Sequence, residues 1–286
     1  MKAVTQRLAV YPLRVGACRQ CERVANRDGP WRLTTFPAYC ALISHPARGW
    51  MLFDTGYARR FFTATEHVPQ RLYRTLLPVR LPEEEELAVQ LLRYGLIPRD
   101  IGTVVISHYH ADHVAGLRDF SNARFIAPGA DTRGLLGARN PWRDTLHGFL
   151  PALLPDDFAA RVTEAETFPV VDLPAWMVPF THGFDLFGDG SAVAVPLPGH
   201  SAAQIGLLMA DVDGRAAFLV ADACWSMSAC RAGSLPSRLA SFAHADAKAY
   251  AKTFFGLRAL SLREASLAML PAHCADSWNA FSDGGR

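Results

Sequence analysis

The hexapeptide His108-Tyr109-His110-Ala111-Asp112-His113 constrains this chain more than any other stretch. It sets three imidazoles and one carboxylate within six residues, and these are the side chains that hold zinc and similar divalent cations. Residues 103–107, just before it, are β-branched and apolar (Thr-Val-Val-Ile-Ser), so they read as a buried strand. The donors therefore stand where a strand runs out into a loop. His108 and His110, two apart, point the same way while the chain is extended. Asp112 and His113 come after the chain has turned and can face a second metal position.

Further donors recur downstream in the same kind of place. His200 lies in Pro198-Gly199-His200-Ser201, behind the apolar run at 192–195. Asp222 ends the apolar run 217–221, and His273 follows the run 267–272. Strand ends that converge on one rim of a sheet are where a site is built.

The order His-x-His-x-Asp-His, Pro-Gly-His, Asp, His resembles that of the metallo-β-lactamase fold hydrolases. Asp54 in Phe53-Asp54-Thr55-Gly56 matches an early Asp-x-Gly turn of that family, and residues 95–101 match its lead-in to the metal motif. The resemblance runs from Pro37 to Cys274. It implies an α/β fold, a four-layer αββα sandwich. It also implies one cation on His108, His110 and His200, a second on Asp112, His113 and His273, and Asp222 as the bridging carboxylate. Asp54 is then a residue that orients a ligand or the motif loop. A carboxylate at 222 is typical of the branch that resembles glyoxalase II and the N-acyl homoserine lactonases, whereas the zinc β-lactamases commonly have Cys or Ser there. Three positions depart from the pattern. Trp225 stands where the lactonases usually carry a Tyr, Ala115 replaces a common Gly, and Ser201-Ala202-Ala203 replaces Thr-Pro-Gly. An indole donates a hydrogen bond but gives up no proton at neutral pH.

Two cations about 3.5–4 Å apart lower the pKa of a shared water towards ~7 and polarise a carbonyl oxygen. Asp112 or Asp222 could pass a proton to the leaving group. The reaction expected is hydrolysis of a lactone or another carboxylic ester or thioester, with two divalent ions, Zn2+ foremost and Mn2+, Co2+ or Fe2+ as substitutes. The alternatives are a phosphotriester hydrolase on the same site and a persulfide dioxygenase-like oxidoreductase with one iron. A nuclease would bring a basic face, and a signalling protein with little turnover would keep the fold.

Composition sets the outer bounds. With 286 residues, half of them hydrophobic, the expectation is a single domain over 1–286. No 18-residue apolar run suggests a membrane span, and Arg7, Pro12 and Arg14 spoil the early segment as a leader. A cytoplasmic location is expected. Net charge is +2 with the arginines scattered, so the partner expected is a small-molecule substrate rather than nucleic acid or membrane; the oligomeric state is left open, a homodimer included. Of six cysteines, Cys18 and Cys21 make the one close CxxC pair. Reduced thiols are the main expectation, and a redox or metal role for that pair is the minor one.

Strands are expected at 8–11, 38–44, 50–53, 103–107, 124–126, 192–196, 205–209 and 216–221, and helices at 83–94 and 243–260. Residues 57–81 and 128–190, rich in Pro and aromatics, read as cap-like insertions over the metal rim. If they line the pocket, the substrate carries an apolar acyl arm; otherwise they pack as ordinary core. His147 and His182 fall in the second insertion, where they could touch substrate. His45, His67 and His244 have no ligand-like company in sequence.

Overall fold

The structure is a computed structural model, describing residues 7–137, 140–212, 214–237, 240 and 244–283. Its first sheet uses β1 (Ala9–Cys21), β2 (Leu33–His45), β3 (Gly49–Phe53), β4 (Val79–Arg80), β5 (Ile101–Val105), β6 (Arg124–Ala127) and β7 (Val162–Glu164), in the order β4-β1-β2-β3-β5-β6-β7. The second uses β8 (Val170–Asp172), β9 (His182–Asp185), β10 (Ala192–Pro196), β11 (Ile205–Val212), β12 (Arg215–Ala221) and β13 (Ala268–Pro271), in the order β13-β12-β11-β10-β9-β8.

Strand alternation divides the core into three parts. Ile43, Met51, Leu207 and Leu219 belong to one buried cluster between the sheets. Their strand neighbours Leu42 and Leu52 point outward and pack with Leu87, Leu91 and Phe120. Leu208 and Phe218 likewise point outward and pack with Tyr250, Phe254 and Leu257. Strands buried on both faces carry continuous apolar runs. The result is helix, sheet, sheet, helix. Helix Ala247–Arg263 covers the second sheet with Tyr250, Phe254, Leu257 and Leu260, spaced to share one face. Asp246 caps it, accepting from the Lys248 and Ala249 amides at 2.8 and 3.0 Å. The expected helix start at Ala243 lies outside the described residues. Among the described residues no helix is long and apolar enough to cross a membrane.

Three expectations need correction. The first strand does not stop at Tyr11 but continues to Cys21, with Pro12 opposite Ala41. Pro12 is tolerated because β4 pairs β1 only at Ala17 and Cys18, leaving an open edge at residue 12. The expected helix 83–94 is two pieces, a 3-10 turn Glu83–Glu85 and helix Leu87–Leu92, with Glu86 extended between them. Gln90 Nε2 donates to the Glu85 and Arg14 carbonyls, both at 2.8 Å, which stabilises the break. Cys18 and Cys21 do not form a chelating or redox pair. They lie opposite Phe36 and Leu33 along an extended strand, and three residues apart on a strand puts them on opposite faces.

Candidate metal centre

Every predicted donor comes to the rim where strands of both sheets end. His108, His110, His200 and Asp222 form one group and Asp112, His113 and His273 a second, each offering atoms within 4.8 Å of one another. The first sheet contributes the hexapeptide after β5; the second contributes His200 after β10, Asp222 after β12 and His273 after β13. Asp222 lies between the groups. Its Oδ1 is 3.3 Å from His113 Nε2, and its Oδ2 is 3.2 Å from both His200 Nε2 and His273 Nε2. Asp112 Oδ2 is 3.4 Å from His273 Nε2.

Hydrogen bonds behind the donors fix which ring nitrogen faces the centre. Asp54 Oδ2 accepts from His113 Nδ1 at 2.7 Å and from Ser107 Oγ at 2.8 Å. Having given its one proton to Asp54, Ser107 Oγ accepts from His108 Nδ1 at 2.9 Å. His273 Nδ1 donates to the Pro37 carbonyl at 2.7 Å. Nε2 is thereby turned inward on His108, His113 and His273, an arrangement usual for metal-ligating histidine. The adjacent Thr55 clamps the motif loop, donating from its backbone N and Oγ1 to the His113 carbonyl at 2.8 and 2.9 Å. Asp54 stands at φ 62, and Ala221, beside Asp222, at φ 47. These are the two non-glycine residues at positive φ among the described residues, and both adjoin the centre. Such backbone costs about 1–3 kcal/mol and persists where the surroundings over-determine it.

The donor set fits a pair of cations. His108 Nε2, His113 Nε2 and Asp222 Oδ1 are buried without a hydrogen-bond partner. A buried polar atom left unpaired costs about 1–3 kcal/mol, and a cation would satisfy all three. Burial and neighbouring imidazoles hold His108 and His110 well below the usual histidine pKa. Burial also opposes charge on His113 and His273, but the carboxylates outweigh it. Asp54, Asp112 and Asp222 keep His113 well above the usual value, and Asp222 and Asp112 raise His273 to about 9. Asp222 stays well below the usual carboxylate range; burial opposes this, and His273, His113 and His200 overcome it.

Several further residues support the donors. Asp131, buried in helix Gly129–Leu136, accepts from Ser201 Oγ at 2.5 Å and from the Ala203 amide at 3.2 Å, so it anchors the loop bearing His200. Gly199 stands at φ 131, and a Cβ there would lie 2.1 Å from the Tyr250 amide nitrogen. That closeness explains the glycine before His200. Gly148 backs His110, where a Cβ would come within 2.7 Å of the ring. Trp225 donates from Nε1 to Asp222 Oδ2 at 2.9 Å. His244 stacks on Tyr250 at 3.9 Å beside His200, and burial lowers its pKa to about 3.

A cleft of about 580 Å3 opens beside His110 and His200, lined by residues that include Asp131, Asn140, Arg143, His147 and Phe149. His147 lines it. Most of the aromatics expected there do not. Phe61, Phe158 and Phe184 are buried core, as is Met177, and Trp142 is 57% exposed. Residues 162–185 contribute β7, β8 and β9 to the two sheets rather than standing over them. His182 is exposed on β9, and His45 is buried against Ser191 at 3.0 Å, away from the donors.

Comparison with known proteins agrees with the geometry. N-acyl homoserine lactonase AttM of Agrobacterium fabrum is 26% identical over 240 residues, covering 82% of this chain and 83% of its own. AttM of Azorhizobium caulinodans is 25% identical over 280 residues, 96% of each chain. Among solved structures, an N-acyl homoserine lactone hydrolase with N-hexanoyl-L-homoserine at its catalytic metal centre superposes with a TM-score of 0.69 at 19% identity, covering 96% of each chain. The dizinc quorum-quenching lactonase AidC gives 0.63 at 15% identity, over 94% of this chain and 88% of its own. Residues 33–213 match the family model of the metallo-beta-lactamase superfamily, and the chain belongs to that superfamily.

Proposed function

We propose that the protein is a dinuclear metal-dependent hydrolase that opens a lactone or a related carboxylic ester or thioester. The observation that carries this reading is the Asp222 carboxylate, with one oxygen towards His113 and the other towards His200 and His273. A carboxylate shared by two donor groups is what a pair of cations requires. The second group also argues against a single-iron dioxygenase, which needs one set of ligands. The lactonase relatives support the choice of substrate class.

His108, His110 and His200 would hold one divalent ion, Asp112, His113 and His273 the other, with Asp222 shared between them, and Zn2+ is the ion best suited to this donor set. Bound there, the ions supply Lewis acidity, lowering a water's pKa towards ~7 and polarising the substrate carbonyl. The chain's own groups do the rest. Asp54 and Ser107 keep the imidazoles in register. Asp112, partly exposed at the rim, is the group placed to pass a proton to the departing alcohol. The cleft beside His110 takes the non-reacting arm. Ala130, Phe149, Ala202 and Ala245 give it apolar surface suited to an acyl chain, and Asn140, Arg143 and His147 give it polar groups. Six unpaired thiols accord with a reducing compartment such as the cytoplasm.

The test is hydrolysis of acyl homoserine lactones, aryl esters and thioesters by the purified protein, with metal content measured alongside. Dialysis against a chelator should abolish turnover, and zinc, manganese or cobalt should restore it. His110→Ala should lose metal and activity together, by more than the roughly 10–100-fold that loss of a partner behind a ligand costs. Full turnover in metal-free protein would overturn the reading.

A further inference from the structure

Trp225 holds a hydrogen bond whose importance changes once cations are considered. Its indole Nε1 donates to Asp222 Oδ2 at 2.9 Å, and the same oxygen is 3.2 Å from His200 Nε2 and 3.2 Å from His273 Nε2. An imidazole nitrogen that ligates a cation has no proton to give to a carboxylate. With His200 and His273 acting as ligands, the indole N–H is therefore the remaining donor to Oδ2 among the described residues. We infer that Trp225 is a positioning residue: it fixes the rotation of the Asp222 carboxylate between the two donor groups. This rests on the dinuclear reading above.

The local backbone accounts for the contact. Ala221 at φ 47 turns the chain out of β12. Asp222 follows, and Trp225 comes three residues later, before the helix Met227–Ala232 capped by Ser226. That turn brings the indole back over the carboxylate. The ring is packed edge-on to His200, with centroids 5.7 Å apart at 86°, and against His244 at 5.8 Å. Two neighbours limit its swing, so the N–H stays with Asp222 rather than reaching a substrate oxygen. A donor on one carboxylate oxygen restricts its orientation and draws charge from it. Partners of this kind behind a metal ligand change affinity by about 10–100-fold when removed.

Two variants separate the N–H from the ring. Trp225→Phe keeps the aromatic wall and loses the donor; Trp225→Gln loses the wall and keeps an N–H of comparable reach. Calorimetric titration of the metal-free proteins with Zn2+ should show two ions bound by wild type. The weaker site should be about 10–100-fold weaker in W225F, with a smaller loss in W225Q. The d–d spectrum of the cobalt-loaded protein should change in W225F and return towards wild type in W225Q. Circular dichroism melts of the metal-free forms show that each variant is folded. The inference is overturned if W225F keeps wild-type affinity and spectrum, or loses no more than W225Q. Should wild type itself bind fewer than two ions, the dinuclear reading fails and takes this inference with it.

Discussion

His113 and His273 face the centre with pKa values above the usual histidine value, while His108 and His110 lie below it. At neutral pH, the metal-free protein therefore presents His108 and His110 neutral and His113 and His273 protonated. A cation binds deprotonated nitrogen, so protons must leave His113 and His273 but not His108 and His110. Calorimetry at pH 7 in two buffers of different ionisation enthalpy should show proton release tied to one of the two binding events. Equal release from both would contradict the assignment. The same shift acts on stability. For a group whose pKa is raised on folding, the contribution is complete below its unfolded value and fades as pH climbs through the folded one. Metal-free protein should accordingly lose stability between about pH 6.5 and the His273 value of about 9. Denaturant midpoints across that range test it, and a flat profile would count against it.

At the scale of elements, Asp131 ties helix Gly129–Leu136 to the loop that carries His200. Asp131→Ala should free that loop, costing about 1–3 kcal/mol from the unpaired hydroxyl and amide and weakening metal binding. Chemical denaturation and metal titration measure the two effects; a variant that changes neither would show the anchor to be idle. Nothing in the sequence marked Asp131, because its partners lie in a distant loop and a lone Asp in a polar helix looks solvated. The donors themselves were legible, since four fall in six residues and each of the others follows an apolar run. The strands buried on both faces were legible for the same reason. The short strands β7 to β9 were not, having three or four residues each and mixed polarity. The break at Glu86 was hidden because it depends on Gln90 reaching back to Glu85 and across to Arg14. Pro12 lies inside β1, and the open edge beside it is what lets the strand run on past Tyr11.

On the scale of the whole molecule, the centre joins the two sheets. Four donors follow β5 in one sheet, and three follow β10, β12 and β13 in the other. Cations held between them would add to the apolar cluster of Ile43, Met51, Leu207 and Leu219 that already binds the sheets together. A ligand at 1,000 times its Kd stabilises by about 4 kcal/mol. Zinc should therefore raise the melting temperature by several degrees, and a chelator should reverse the gain. An unchanged melt would mean that the cations do not hold the sheets together. Ile43→Ala should cost about 2–5 kcal/mol with or without metal.

The chain reaches β13 late, after a long helical crossover from β12, and docks it in parallel at the border of its sheet. His273 rides on that final piece. A growing polypeptide thus displays the hexapeptide well before the residue that closes the second donor group has left the ribosome. Ions encountered early would be gripped from one side and remain exchangeable. The second donor group is therefore complete only once β13 has docked.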